Sequence, residues 1–185
     1  MFRHTFTTLG FAIVLAAVPA AAFAQQMSDA DYIAKVSTAA PADVVKGATI
    51  VQMGKDGSMR TLQTGANGFT CMMVGPTDSM CADKNAMAWM HAMISHSAPP
   101  NVVGFAYMLG GDEGASNTDP MAPAKTADNH WVVTGPHVMI FSPSVKTMGY
   151  PMTADANASA PYVMWADTPY AHAMIPVAAA GAAAP

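Results

Sequence analysis

Short apolar runs, many alternating with polar residues, fill the chain after residue 47 and are separated by glycine, proline and asparagine. Runs of this length bounded by turn-forming residues are typical of β-strands. The pattern predicts strands at 48–53, 59–64, 69–74, 102–109, 131–133, 138–141, 162–165 and 173–177. Asp56-Gly57, between the first two runs, predicts a hairpin turn because this dipeptide readily adopts the backbone angles of such a turn.

Two stretches favour helices instead. Ser28 and the acidic residues after it are typical of a helix start, and they predict a short helix through about Val36, which stops before Pro41. The main helix is predicted at 84–95, with Asp83 as its N-cap. Its apolar face is predicted to carry Met87, Met90, His91 and Ile94, with Met80 one heptad earlier.

Many short strands and one firm helix predict an α+β fold, a single domain with an antiparallel sheet and one main helix. A β-sandwich with a helical excursion is the alternative. The predicted organisation is an N-terminal helical segment at 25–45, a globular α+β domain at 46–177 and a disordered Ala-rich tail at 178–185. A long polar loop is expected at 112–128, a length typical of functional or mobile loops.

The first 24 residues have the three parts of a secretory signal peptide. Arg3 lies in a charged start, an apolar run covers 9–18, and Ala22-Phe23-Ala24 fits a small-residue cleavage site. The apolar run is too short for a transmembrane helix. The sequence therefore predicts a periplasmic or secreted protein that begins near Gln25.

Charge and cysteine content narrow the function classes further. After removal of Arg3, seven Lys and Arg face twelve Asp and Glu, and this acidic balance argues against nucleic acid as a partner. No second apolar run is long enough for a stable membrane anchor after signal cleavage. The two cysteines, Cys71 and Cys81, are expected to form a disulfide in an oxidising compartment, with a Cys-based metal site or a thiol nucleophile as alternatives.

Histidine and methionine form the chemical pattern of this chain. Three His-x-Met triplets are present, at 91–93, 137–139 and 172–174. Thioether sulfur with imidazole nitrogen is a ligand set suited to Cu(I), and residues two apart on a strand share a face. The sequence therefore predicts copper as the cofactor, bound by His137, Met139, His172 and Met174. The triplet at 91–93 lies on the predicted helix, where residues two apart diverge, so it is a poorer ligand pair. The competing interpretation is that the methionines only fill the core.

The triplets are similar to the end of the motif of secreted copper chaperones, which also has an upstream His and Met at fixed spacings that are absent here. Five longer segments, taken together, resemble a group of small exported bacterial proteins of uncharacterised function. These segments are 67–71 (NGFTC), 115–120 (ASNTDP), 134–140 (TGPHVMI), 161–165 (PYVMW) and 168–177 (TPYAHAMIPV). The resemblance implies a single exported domain and brings no catalytic residues with it.

Enzyme signatures are weak in this sequence. It contains no G-x-S-x-G, H-E-x-x-H or G-x-x-x-x-G-K-[ST] motif. The candidate hydrolase groups are the adjacent acids Asp112 and Glu113, a pair more typical of a solvated turn, or Asp167 and His172 as a general base and its orienter with Ser116 as the nucleophile. Three function hypotheses follow. They are a soft-metal-binding protein, a non-catalytic structural or interaction domain whose 112–128 loop contacts a partner of unknown type, and, with less support, a hydrolase.

Overall fold

The computed structural model describes residues 27–54 and 56–177, which contain three α-helices, one 3-10 helix (Pro143–Thr147) and ten strands. The helices are α1 (Asp29–Val36), α2 (Ala42–Gly47) and α3 (Lys84–Ile94). The strands are β1 (Thr49–Met53), β2 (Met59–Gln63), β3 (Phe69–Met73), β4 (Ser79–Asp83), β5 (Gly104–Met108), β6 (Ala115–Ser116), β7 (Trp131–Val132), β8 (His137–Phe141), β9 (Tyr162–Met164) and β10 (His172–Pro176). The predicted signal peptide at 1–24 and the predicted tail at 178–185 lie outside the described residues.

Eight of these strands form one sheet in the order β2-β1-β3-β4-β5-β8-β10-β9. β1 and β3 pair in parallel, and the other neighbours in the sheet pair antiparallel. The predicted combination of a mostly antiparallel sheet and one main helix is therefore confirmed. The sandwich alternative is not what the chain adopts, because β6 and β7 form only a two-residue ribbon beside the large sheet.

The sequence pattern misses β4, which pairs with β3 and β5 near the middle of the sheet. Met80 is therefore a strand residue, and its predicted place on the helix face is wrong. Ser79, Met80, Cys81 and Ala82 are all buried, so this strand is covered on both faces. A strand covered on both faces lacks the alternation that marks a half-buried strand.

The buried face of α3 also differs from the predicted one. Asp83 caps the helix as expected, since its side chain accepts a hydrogen bond from the Ala86 backbone N–H at 2.7 Å. The buried residues are Ala86, Trp89 and Ala92, whereas Ile94 is 64% exposed. The face is therefore rotated toward Trp89, because burying this large aromatic side chain removes more apolar surface than burying Ile94.

Apolar cores lie on both faces of the sheet. One core packs beneath α3 around Trp89, Phe141 and Met139. The other packs around Tyr32 and Val36 of α1 and includes both cysteines. Cys71 and Cys81 lie directly opposite each other on β3 and β4, with Cα atoms 4.0 Å apart, and form the expected disulfide.

Helix α3 lies so close to β5 that only glycine fits at Gly104. A Cβ at this position would lie 2.4 Å from the Ala86 backbone nitrogen and 2.8 Å from the Asn85 carbonyl carbon. We expect Gly104→Ala to lower the free energy of unfolding by about 1–3 kcal/mol, because the helix must move. Chemical denaturation measures this change. Gly135→Ala is the control, since its Cβ would meet no atom within 4 Å, and equal losses for both variants would contradict the prediction.

Candidate functional site

The four predicted metal ligands all project from the sheet face beneath α3. Met139 on β8 lies directly opposite Met174 on β10 in the antiparallel register. His137 and His172 follow at two-residue spacing on their own strands, and residues at this spacing share a face. The pairing of β8 with β10 therefore places the four side chains on one face of the sheet, as the sequence pattern predicts.

The two histidines nevertheless lie at opposite ends of this strand pair. His137 is opposite Pro176, whereas His172 is opposite Phe141. Four residues of strand separate the two positions, which corresponds to about 13 Å along the sheet. The register thus places the backbones of His137 and His172 apart, with Met139 and Met174 side by side between them.

A cavity of about 120 Å³ opens on the same face and contains two of the four predicted ligands, Met139 and His172. Methionine is its commonest lining residue. The lining consists of Met80, Met90, Met93, Met108 and Met139, together with Trp89, Phe141, Trp165, Val74 and His172. We call this opening the thioether cavity.

The strands and the helix each supply part of the thioether cavity. Met108 and Met139 come from the neighbouring strands β5 and β8, and Met90 and Met93 lie at i and i+3 on α3. Residues three apart on a helix are neighbours on its surface. Ala106 lies directly opposite Met139, and its short side chain leaves room in the sheet beneath the helix.

Sequence reasoning assigned only part of this set. Met93 belongs to the helical His-x-Met triplet, whose members are predicted to diverge, and the structure separates them as expected, because His91 is exposed while Met93 lines the cavity. Met80, Met90 and Met108 are not among the predicted ligands either. The available signal was the methionine content of two predicted strands, of the predicted helix and of the segment before it, but only the sheet register brings these side chains together.

His172 lies in a box of aromatic rings at the cavity wall. Its ring centroid is 4.8 Å from that of Trp165, 5.2 Å from Phe141 and 5.4 Å from Trp89. Nδ1 is 3.2 Å from the Tyr170 carbonyl oxygen. Because a carbonyl only accepts hydrogen bonds, Nδ1 carries the proton, and the lone pair of the neutral ring is on Nε2.

Burial makes His172 a neutral imidazole at physiological pH. Desolvation is the largest cause and lowers its pKa to about 4, opposed by the Tyr170 hydrogen bond and assisted by the nearby His137. A neutral imidazole whose other N–H is held by a backbone carbonyl is the usual state of a metal-ligating histidine. The side chain is thus prepared to act as a ligand without losing a proton.

Trp165, which closes one side of the cavity, has a strained backbone. Its φ of 55° lies in the left-handed region that a bulky side chain rarely adopts. Its indole N–H donates to the Ser116 carbonyl at 2.6 Å, and its backbone N–H donates to the Asn117 carbonyl at 3.0 Å. Such strain costs of order 1–3 kcal/mol and is concentrated at functional sites in proteins, so these bonds fix the indole beside His172.

Of the three groups named for a hydrolase, Ser116 and His172 have other contacts and Asp167 is exposed. Ser116 is buried, and its hydroxyl donates to the Asn129 carbonyl at 2.7 Å and accepts from the Asp119 backbone N–H at 2.9 Å. His172 lies in its aromatic box, and its Nδ1 is bonded to Tyr170. Ser116 and Asn117, which belong to the 112–128 loop expected to contact a partner, hold Trp165 through their backbone carbonyls.

His137 lies in a buried polar cluster and is not among the residues that line the cavity. It is fully buried, and its Nδ1 donates to the Gly135 carbonyl at 2.7 Å. Its Nε2 faces Asp112 Oδ2 at 3.9 Å. Nearby, Tyr162 and Thr134 share a 2.8 Å hydrogen bond between their hydroxyls, and burial raises the pKa of Tyr162 to about 12.

Conventional metal ligands do not cluster in the described part of the chain. No group of three or more His, Cys, Asp and Glu side chains in residues 27–54 and 56–177 is arranged to hold a metal ion. A metal site on the α3 face of these residues would therefore rely on thioether sulfur. Among the same residues, no helix is both long and apolar enough to cross a bilayer.

In comparisons with protein-family models, curated proteins and solved structures, nothing matches this chain. The resemblance to small exported bacterial proteins therefore stays a prediction.

Proposed function

We propose that this chain is an exported protein, periplasmic or secreted, that binds one Cu(I) ion in the thioether cavity. The observation that carries the proposal is the convergence of five methionines and one neutral histidine on a single opening. Export is supported by the signal-like residues 1–24 and by the Cys71–Cys81 disulfide, since disulfides persist in oxidising compartments.

The chemistry of the lining favours a soft, singly charged ion. No carboxylate or thiolate is among the residues that line the thioether cavity, so its ligands are all neutral. A divalent ion would carry more uncompensated charge into an apolar site, where burying charge is costly. Cu(I) carries a single charge and prefers thioether sulfur and imidazole nitrogen. The rings of Trp89, Trp165 and Phe141 add cation–π attraction to a cation held beside them.

The proposal changes the ligand set expected from the sequence. Met139 and His172 stay in it, and Met80, Met90, Met93 and Met108 join it because they line the same opening. Met174, directly opposite Met139 on β10, supports this side chain from the neighbouring strand. His137 is left out of the Cu(I) site because it does not line the cavity, and its strand position is about 13 Å from that of His172 along the sheet.

Removal of two thioethers tests the proposal. We expect Met90→Leu with Met93→Leu to weaken Cu(I) binding about tenfold or more, because leucine keeps the apolar volume and removes only the ligand atoms. The measurement is a competition titration against a coloured Cu(I) chelator under anaerobic, reducing conditions. The control is Met53→Leu with Met59→Leu, an exposed methionine pair that is opposite in register on β1 and β2.

Equal Cu(I) affinity for both double variants would contradict the proposal, and so would the lack of measurable binding by the native chain. In that case a non-catalytic structural or interaction role would stand. Unchanged denaturation curves for the two variants separate ligation from packing.

The apolar lining and size of the cavity favour one second candidate, a small apolar ligand. A cavity of about this size lined by apolar side chains can hold a benzene-sized molecule. The same variants distinguish the two functions. Methionine-to-leucine changes keep an apolar ligand bound, whereas they release Cu(I).

A further inference from the structure

A second cavity, of about 260 Å³, shares the Trp89 side chain with the thioether cavity and is the larger of the two. Three proline rings lie in its wall: Pro99 after α3, Pro143 at the start of the 3-10 helix and Pro169 before β10. We call it the proline cavity. Small-molecule sites are concave, mostly apolar and largely preformed, and proline rings with an indole give this cavity a stiff apolar wall of that kind.

Lys146 brings one positive charge to the proline cavity. Its side chain lines the cavity from the 3-10 helix, and its Nζ is 3.4 Å from the backbone carbonyl oxygen of Thr168, another residue of the wall. In residues 27–54 and 56–177, no carboxylate forms an ion pair with this ammonium group. The charge of Lys146 is therefore left for a ligand to compensate.

The indole N–H of Trp89 is a second donor in the wall. Trp131 and Trp165 donate their indole N–H groups to backbone carbonyls at 3.2 Å and 2.6 Å. Trp89 makes no such bond within the part of the chain that the structure describes, although the side chain is only 3% exposed. A buried indole N–H usually has a hydrogen-bond partner, so that of Trp89 is available to a ligand.

The hydroxyl groups of the wall are already hydrogen-bonded. Ser142 shares a 2.8 Å hydrogen bond with the hydroxyl of Ser144, and the Thr168 hydroxyl donates to the Trp165 carbonyl at 2.9 Å. The side-chain groups left over are an ammonium and an indole N–H, and both only donate. A ligand that complements them therefore carries acceptor oxygens and a negative charge.

We infer that the proline cavity binds a small monocarboxylate with a flat apolar body about the size of one aromatic ring. The Lys146 ammonium and the Trp89 indole N–H hold the carboxylate, and the proline rings pack against the apolar body. One lysine compensates one negative charge, so a phosphate dianion would keep an uncompensated charge beside apolar rings. An apolar cavity of about 150 Å³ holds benzene, so this larger cavity has room for the carboxylate as well. The inference does not depend on Cu(I) binding.

The experiment is a calorimetric titration of the metal-free protein with benzoate and with benzyl alcohol, which keeps the ring and lacks the charge. We expect benzoate to bind with a Kd below about 1 mM, and benzyl alcohol to bind about tenfold more weakly or worse. Lys146→Met keeps the aliphatic stem and removes the charge, so it should weaken benzoate binding about tenfold or more. The control is Lys125→Met, which removes the same charge from an exposed loop position and should keep native affinity.

NMR locates the bound benzoate. It should shift the indole N–H resonance of Trp89 and leave that of Trp131, which is not part of the wall, in place. The inference is overturned if benzoate does not bind in this range, if benzyl alcohol binds equally well, if Lys146→Met keeps native affinity, or if the Trp89 resonance does not move. The Cu(I) affinity of Lys146→Met should be native, because Lys146 does not line the thioether cavity, and this separates the test from that of the Cu(I) site.

Discussion

Acidification of the metal-free protein from pH 6.5 to pH 4 is expected to lower its free energy of unfolding by roughly 3 kcal/mol through His172 alone. Burial holds the pKa of this histidine at about 4, whereas its ordinary value is 6.5. The unfolded chain therefore takes up a proton in this window while the folded chain does not. The contribution of neutral His172 to the free energy of unfolding is fully present above pH 6.5 and is lost as the pH falls toward 4.

Chemical denaturation at several pH values between 4 and 7 measures this effect. In His172→Phe, a non-titrating ring takes the place of the imidazole among Trp89, Phe141 and Trp165, so this variant should lose much of the pH dependence. His137, whose pKa is lowered mainly by burial, and Asp112, whose pKa is raised mainly by burial, also titrate. Both remain in the variant, so the difference from the native protein isolates His172.

The exposed His91 provides the matched control. His91→Gln should give the native pH dependence, since this side chain lies on the solvent side of α3. Indistinguishable pH profiles for the native protein and His172→Phe would show that the buried imidazole does not resist protonation. This result would contradict the proposal that His172 acts as a neutral ligand.

Removing the disulfide by Cys71→Ala with Cys81→Ala should lower the free energy of unfolding by about 3 kcal/mol. The bridge closes a loop with a sequence separation of ten residues, and chain-entropy arithmetic assigns about this value to such a loop. For a chain of this size the loss corresponds to a fall in Tm of about 6–12 °C. Both cysteines are fully buried, and alanine avoids introducing a buried hydroxyl.

Differential scanning calorimetry of the native and double-variant proteins measures this loss, and the reduced native protein should match the variant. Cu(I) affinity is the internal control. The disulfide packs in the core with α1, whereas the thioether cavity lies beneath α3 on the other face. A native-like Tm without the bridge would contradict the prediction, and a fall in Cu(I) affinity would show that the two faces are coupled.

Local patterns in the sequence were sufficient for most elements of this fold. The predicted helix at 84–95 corresponds to Lys84–Ile94, and the run at 138–141 corresponds to His137–Phe141. Turn residues and an N-cap act within a few positions of the chain, so their effect can be read locally. The pairing of Cys71 with Cys81 was also expected, because no other cysteines are present.

The tertiary structure decided what local patterns do not contain. Strand β4 is covered on both faces and lost its alternation, and Trp89 rather than Ile94 set the buried face of α3. The His-x-Met spacing correctly placed His137 and Met139 on one face, but only the antiparallel register separated His137 from His172. The same register placed Met108 and Met139 on adjacent strands beneath α3. A candidate ligand set is a property of register and layer packing, because these bring together residues that are distant in the chain, whereas the sequence alone determines the side chains available and their local spacing.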